Sequence, residues 1–324
     1  MTKAIRIHAA GGSDKLVYED VELAPPGPGQ VLVRHHAIGV NFIDVYLREG
    51  QYPIPSYPAV LGNEAAGVVT ALGKGVEGFK VGDRVAYVGT LGSYAEERVV
   101  DAKILLKLPK EISFETAAGM MLKGLTAQYL LRRTYKVKAG DTILVQAAAG
   151  GVGLLLCQWG KALGATVIGT VGTADKAKLA KKAGAKHTIL YRDEDFVARV
   201  NEITKGKKCD VVYDGVGKTT FPGSLDCLRP MGMFVSFGAS SGPIDSFNIG
   251  MLAQKGSLFA TRPSLYAYMA KREDLEKMAR DLFKVVKNGD VNVPIHHKIA
   301  LKDAAKAHDL LEARQTTGSV ILIP

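Results

Sequence analysis

The stretch from Asp141 to Gly153, reading Asp-Thr-Ile-Leu-Val-Gln-Ala-Ala-Ala-Gly-Gly-Val-Gly, constrains this chain more than any other. An apolar run that passes through small residues into a helix-forming segment spells a β-strand, a tight turn and a helix N-terminus. Such a turn lets backbone approach a pyrophosphate and aims unpaired N–H groups and the positive end of a helix dipole at it. In the frame G-x-G-x-x-G, Ala148 takes the first position, and Gly150 and Gly153 take the others. The motif alone is equally compatible with a glycine turn that holds nothing, so its surroundings must decide.

Beyond the turn, strand-like runs at 142–147, 166–170, 187–190, 210–214, 233–238 and 257–261 alternate with helix-like segments at 153–163, 174–183, 194–204 and 219–228. That alternation predicts a doubly wound parallel sheet, with the glycine turn on its first crossover. Before it, short β-rich runs at 3–7, 31–38, 65–69 and 84–87 are separated by Gly and Pro clusters such as 24–29. Close spacing with turn punctuation predicts a compact, partly antiparallel β domain. After Pro263 come two helical stretches, 273–287 and 302–313, and a last strand, 318–323. A terminal strand needs a partner sheet, and one arrangement returns it to the N-terminal domain. The domains expected are therefore 1–123 plus 264–324, and 124–263, consistent with a chain of 324 residues being too long for one core.

No uninterrupted apolar run approaches the length of a membrane span, and the N-terminus lacks the basic-then-apolar pattern of a secretory signal, so a cytoplasmic protein is expected. Cys157, Cys209 and Cys227 are odd in number and widely spaced, which fits reduced, buried thiols. The formal charge of +10 gathers on Lys176, Lys178, Lys181, Lys182 and Lys186, then Lys205, Lys207 and Lys208. Without interleaved aromatics these read as solvated faces in preference to a nucleic-acid surface.

Two other motifs invite misreading. Gly238-Ala-Ser-Ser-Gly242 fits the hydrolase elbow G-x-S-x-G, but Pro243 and the residues after it do not start a helix, which argues against a nucleophilic Ser240. Gly217-Lys218-Thr219 ends like a phosphate loop, yet Val212 stands where the earlier glycine is required.

Six ordered stretches resemble the medium-chain dehydrogenase/reductase superfamily, and more closely its zinc-free quinone oxidoreductase branch, which includes zeta-crystallin. They are Ala37-Ile-Gly-Val-Asn-Phe-Ile-Asp44, Leu61-Gly-Asn-Glu-Ala-Ala-Gly67, Val81-Gly-Asp-Arg-Val85, Leu122-Lys-Gly-Leu-Thr126, the glycine turn and Val235-Ser-Phe-Gly238. The resemblance implies an α/β fold in which a Rossmann doubly wound sheet is inserted into a GroES-like β-barrel, with a homodimer through the Rossmann domain. Zinc alcohol dehydrogenases of the superfamily carry cysteine and histidine where this chain has Asn41 and Asn63. A neutral amide cannot replace a thiolate or imidazole on Zn²⁺, no cysteine precedes Cys157, and His35-His36 and His296-His297 are neighbours that point to opposite faces of a strand. No metal is expected.

The strand at 166–170 should end beside the adenosine ribose. NAD-selective folds place an acid there, whereas this chain reads Val171-Gly172-Thr173 followed by Lys176. NADPH is therefore the expected cofactor, with Lys176 able to pair with a 2′-phosphate or, alternatively, to be an exposed helix lysine. Around the turn, Gly150, Gly151, Val152 and Gly153 would hold the pyrophosphate. The resemblance adds Tyr191 near the 2′-phosphate, Arg314 as a C-terminal cofactor contact, Lys123 and Thr126 at the domain junction, and the loop of Phe237, Gly238, Ser240 and Ser241 at the nicotinamide end. It also implies that Asn41, Asp44, Tyr46 and Tyr52 face the nicotinamide across an interdomain cleft. Reducing a quinone needs electrons from the cofactor and protons for two oxygens, for which Tyr52 is the first candidate donor or clamp and Asn41 the polar anchor. Asp44 would orient its neighbours, and Tyr46 could equally be packing. The function expected is zinc-independent reduction of quinones by NADPH. The alternatives are an NADPH-dependent enone or alkenal reductase on the same scaffold, or a crystallin-like or RNA-binding secondary role.

Overall fold

Residues 1–324 are all described by the computed structural model, in which strand Gln30–Val40 is the hub of the first of two units. That unit comprises 1–123, 272–283 and 293–324; the second comprises 124–271 and 284–292. Residues 264–271 and 284–292, expected with the β-rich part, thus belong to the second unit. Local contacts tie some of their residues there: Tyr268 stacks on Tyr129 with ring centroids 4.5 Å apart, and its carbonyl accepts from Arg133 at 2.9 Å. Gln158 and Asn292, also within the second unit, exchange two hydrogen bonds of 2.9 and 2.7 Å.

In the first unit, Gln30–Val40 pairs antiparallel with Glu64–Leu72, Glu97–Asp101 and Ser319–Ile323. Its odd-numbered apolar residues Val31 and Val33 point inward, as period-two alternation requires of a half-buried strand. The C-terminal strand therefore returns to the N-terminal sheet, with Val320 opposite Val40 and Leu322 opposite Ile38. On its other side it pairs in parallel with Ile295–Ala300, a strand the sequence reading did not anticipate. Only alternate residues of that strand are half-buried, and His296 and Lys298 between them break any apolar run. Arg84–Val88 and Leu106–Lys107 complete this sheet, and Thr2–Ile7 forms a smaller one with Val17–Val21 and Ala59–Val60. Val31, Val33, Ile38, Leu61, Val69, Val85, Leu105 and Leu322 fill the core between them.

The second unit holds six parallel strands: Thr142–Val145, Thr166–Val171, His187–Leu190, Cys209–Asp214, Leu228–Ser236 and Phe259–Thr261. Taken in chain order they lie 3-2-1-4-5-6, the doubly wound arrangement whose order reverses at the first strand. Helices Gly151–Ala162, Ala174–Lys182 and Phe196–Ile203 are the crossovers. The helix expected at 219–228 shrinks to Gly223–Asp226, because Pro222 offers no N–H to a helix interior and confines helical structure to the residues after it. No helix anywhere is long and apolar enough to cross a membrane.

Candidate active site

In the second unit the glycine turn closes the first crossover. The left-handed backbone conformation falls on Ala147, at φ 54°, while Gly150 is extended and caps the helix Gly151–Ala162. The first intrahelical bond runs from Leu154 N to the Gly150 carbonyl at 2.9 Å, so the N–H groups of Gly151, Val152 and Gly153 precede it. Gly153 has no room for a side chain: a Cβ there would lie 2.4 Å from the Ala147 carbonyl oxygen and 2.8 Å from Ala148 backbone. Helix and turn approach closely because this residue is bare, which is the packing role of the third motif glycine.

Beneath the turn a buried polar chain links the ends of three strands. The Thr170 hydroxyl donates to Gln146 Oε1, Gln146 Nε2 donates to Ser224 Oγ at 3.1 Å, and Ser224 Oγ donates to Asp214 Oδ2 at 2.7 Å. The other oxygen of Asp214 accepts from the backbone of Val216 and Gly217 at 2.8 and 3.0 Å. Every member has a partner, so the chain stiffens the carboxyl edge of the sheet.

At the end of the second strand, Gly172 and Thr173 lead into helix Ala174–Lys182, whose N-cap is Thr173: its hydroxyl accepts from Lys176 N at 3.3 Å. Lys176 is half-buried on the first turn of that helix. A Cβ on Gly172 would come within 2.8 Å of the Tyr191 hydroxyl and 3.4 Å of Arg192 Nε, so these side chains converge over Gly172. Arg192 was missed by the sequence reading, although its adjacency to Tyr191 at a strand end was a usable signal. Phe237, Gly238, Ser240 and Ser241 form the loop after the fifth strand. The Ser241 hydroxyl donates to the Val216 carbonyl at 2.8 Å, and no helix follows until Gly250–Gln254, so no nucleophile elbow forms at Ser240. Thr126 is buried in helix Phe114–Tyr129 and belongs to this unit.

The first unit carries the other group. Asn41 caps helix Phe42–Arg48, and Asp44, three residues on, reaches back so that Oδ2 accepts from the Asn41 N–H at 2.8 Å. This is the reciprocal logic of a capping box, which sets both side chains at the mouth of the helix. Asn41 Nδ2 donates to Glu64 Oε1 at 2.7 Å, and Asn63 Nδ2 donates to Asp44 Oδ1 at 2.7 Å. Glu64, absent from the sequence-predicted set, also accepts from Leu122 N at 2.6 Å and pairs with Lys123 Nζ at 3.4 Å. Its carboxylate fits because Gly39 lies opposite, where a Cβ would sit 2.2 Å from Oε1. Lys123 is buried and also donates to the Val40 carbonyl at 3.1 Å.

Asp44 is completely buried, and loss of solvent pushes its pKa up to about 6, against the pull of its hydrogen bonds from Asn63, Asn41 and Tyr94. Tyr46 is buried, Tyr52 is exposed, and their rings meet edge to face at 5.5 Å. Arg314 belongs to this unit too, in a left-handed conformation after helix Ala304–Glu312. The structure thus gathers Asn41, Asp44 and Asn63 through hydrogen bonds and pairs Tyr46 with Tyr52. No group of three or more His, Cys, Asp or Glu side chains is arranged to hold a metal ion.

Residues 27–110 match the model of the alcohol dehydrogenase GroES-like domain, and residues 151–284 that of the zinc-binding dehydrogenases. The chain is 54% identical to a quinone oxidoreductase of Pseudomonas aeruginosa, with both chains covered in full. It is 47% identical to a 2-haloacrylate reductase of a Burkholderia species, covering 100% of this chain and 99% of the relative. Among solved structures, Escherichia coli quinone oxidoreductase complexed with NADPH superposes with a TM-score of 0.97 at 50% identity, over 99% of this chain and 100% of that one.

Proposed function

The chain belongs to the quinone oxidoreductase branch of the medium-chain dehydrogenase/reductase superfamily, and from that premise we propose that it reduces quinones with NADPH as electron donor, without zinc. The observation that carries this reading is its likeness, from end to end, to quinone oxidoreductases that include an NADPH complex. The residues fit the cofactor. The N-terminus of helix Gly151–Ala162 offers N–H groups to a pyrophosphate, and the bare Gly153 lets the backbone draw close. Lys176 and Tyr191 would meet the 2′-phosphate beside Gly172 and Thr173, and Arg192 adds a second cation there. Phe237, Gly238, Ser240, Ser241, Thr126 and Arg314 complete the set proposed to hold it.

When bound, NADPH supplies the reducing electrons from the C4 position of its nicotinamide. The chain's own part is to orient the quinone, exclude water and deliver protons. Asn41 has one amide hydrogen engaged by Glu64, which fixes the plane of the amide and leaves its other hydrogen for a quinone oxygen. Tyr52, seated against Tyr46, is the proposed proton donor or clamp. Asp44 holds the Asn41 backbone N–H and the Asn63 amide, and contacts no reacting atom in this reading.

Steady-state rates with 1,4-benzoquinone and with an α,β-unsaturated ketone, at matched NADPH, test the assignment. A decisive preference for the ketone would move the function to an enone reductase, the second reading that the kinship with 2-haloacrylate reductase favours. A homodimer through the second unit is supported by its sheet edge Phe259–Thr261, whose unpaired backbone and exposed Phe259 offer a template for a second copy. Sedimentation velocity would measure it. A cytoplasmic location is supported by three free, buried cysteines.

A further inference from the structure

Asp44 lies at one end of a hydrogen-bonded chain that runs through the first unit to its surface. Tyr94 OH is 3.1 Å from Asp44 Oδ2 and 3.1 Å from His308 Nε2. His308 Nδ1 is 3.2 Å from Arg48 Nη1, and Arg48 forms two bonds of 2.8 Å with the carboxylate of Glu312. Asp44, Tyr94, Arg48 and His308 are all buried, and only Glu312 is partly exposed.

The direction of every bond in this chain follows from the one member that cannot vary. A guanidinium only donates, so His308 Nδ1 must accept from Arg48 and its ring proton must sit on Nε2. Nε2–H then donates to the Tyr94 oxygen, which leaves the Tyr94 proton to point at Asp44 Oδ2. Asn63 Nδ2 and the Asn41 N–H also donate to Asp44, so three donors converge on it. An arrangement with every partner donating suits a carboxylate and opposes a carboxylic acid, whose own proton would meet a donor. Because Arg48 gives up no proton at ordinary pH, the chain cannot shuttle protons from the surface; it can only hold a polarity.

We propose that Tyr94 and His308 are positioning residues of the reaction: oriented by Arg48, they hold Asp44 as a carboxylate, which in turn holds the Asn41 backbone at the helix cap and the amide of Asn63 in their working positions. The inference rests on the reading above that Asn41 and Asp44 serve quinone reduction. Other charged groups around Asp44 act with the chain. Glu64 repels its negative charge and itself pairs with Lys123, while Glu49, Asp309 and Glu312 keep Arg48 charged. Burial and the Arg48 charge hold His308 neutral, down to about 3, as its tautomer requires. Tyr94 is raised well above its ordinary value, chiefly by burial and the nearby Asp44 charge, so it stays a donor. Edge-to-face contact between the Tyr94 and His308 rings, with centroids 5.9 Å apart, fixes their mutual angle.

The test uses the full-length enzyme loaded with NADPH and compares Tyr94→Phe, His308→Leu and His308→Gln. Two readouts are followed: the acid limb of kcat with 1,4-benzoquinone, and the titration of the Asp44 carboxylate by ¹³C NMR, assigned with Asp44→Asn. Removing the tyrosine hydroxyl should move the Asp44 titration and the acid limb of kcat upward together, by about one pH unit, with KM for NADPH unchanged. Leucine at 308 should shift both in the same direction. Glutamine can accept from Arg48 and donate to Tyr94, so it should restore much of the leucine shift. An Asp44 titration identical in wild type and Tyr94→Phe overturns the positioning role. A titration that shifts while the kcat profile stays still overturns instead the placement of Asp44 in the reaction.

Discussion

Asn63 Nδ2 stands 2.7 Å from Asp44 Oδ1, a neutral amide donating to a buried carboxylate. The pair stabilises the first unit because an acid without solvent needs donors. Replacing Asn63 by Leu removes one, and a hydrogen bond to a charged group contributes about 1.5–3 kcal/mol, which urea unfolding at pH 7.5 should register. Asn63→Asp sets a second acid against Asp44 and raises one carboxyl pKa in the folded state. The folded form then binds more protons than the unfolded one, so the stability deficit of this variant should shrink as pH falls toward 5. A deficit that grows on acidification would show that the pair is not coupled in this way.

Gly153→Ala should disable the turn. The added methyl would stand 2.4 Å from a backbone oxygen, so the helix must shift. Overpacking of this kind costs about 1–3 kcal/mol, and the displaced N–H groups should weaken NADPH by more than tenfold in a fluorescence titration. Retention of wild-type affinity would separate the turn from the cofactor.

Lys176→Ala should weaken NADPH at least tenfold while leaving NADH nearly unchanged, since only the former carries the 2′-phosphate; about 1.4 kcal/mol corresponds to that factor. Arg192→Ala should act in the same direction to a smaller extent. Equal losses for both nucleotides would remove Lys176 from the phosphate.

Acidification should destabilise the protein through two buried histidines. His35 donates from Nδ1 to the Ala95 carbonyl at 2.6 Å and accepts the Tyr87 hydroxyl, and burial lowers its pKa to about 4. His308 is lowered to about 3, mainly by burial and then by Arg48. Both values lie below the ordinary 6.5, so the unfolded chain takes up these protons first. Their stabilisation is complete above pH 6.5 and is lost as pH falls toward 4 and 3. Asp44 works the other way: its pKa is raised from 3.8 to about 6, so the folded state gains its proton first and offsets part of the loss between those values. Among these three groups, two protons against one contribute roughly 1.4 kcal/mol per pH unit to the slope in the shared window. Unfolding free energies at pH 7, 6, 5 and 4.5 should show this decline, and His35→Asn should flatten it. An unchanged slope would mean that the histidine is not held neutral by the fold.

Much of the nucleotide-binding fold was legible in residue order. The alternation beyond Asp141 marks strands and crossovers because apolar periodicity is a local property, and small residues at a strand end mark a turn for the same reason. The strand Ile295–Ala300 was not legible, since its inward residues alternate with histidine and lysine and its partner is the C-terminal strand. Asn41 and Asp44 were expected at the site from the resemblance, but what each of them touches was not legible, and Arg48, at the far end of the same short helix, was not singled out.

The sequence by itself determined that a doubly wound sheet carries a glycine turn and that Val171-Gly172-Thr173, without an acid, ends its second strand; the resemblance added that amides stand where zinc relatives carry ligands. These depend on neighbours in the chain and on the chemistry of single residue types. Only the tertiary structure decided that Glu64 and Tyr94 meet the capping pair Asn41 and Asp44, and that His308 and Arg48 stand in line behind Tyr94. Arg48 and Glu312, for example, are 264 positions apart. The protonation pattern of that network follows from burial and from which donor faces which acceptor, and both arise only when distant strands and helices pack together.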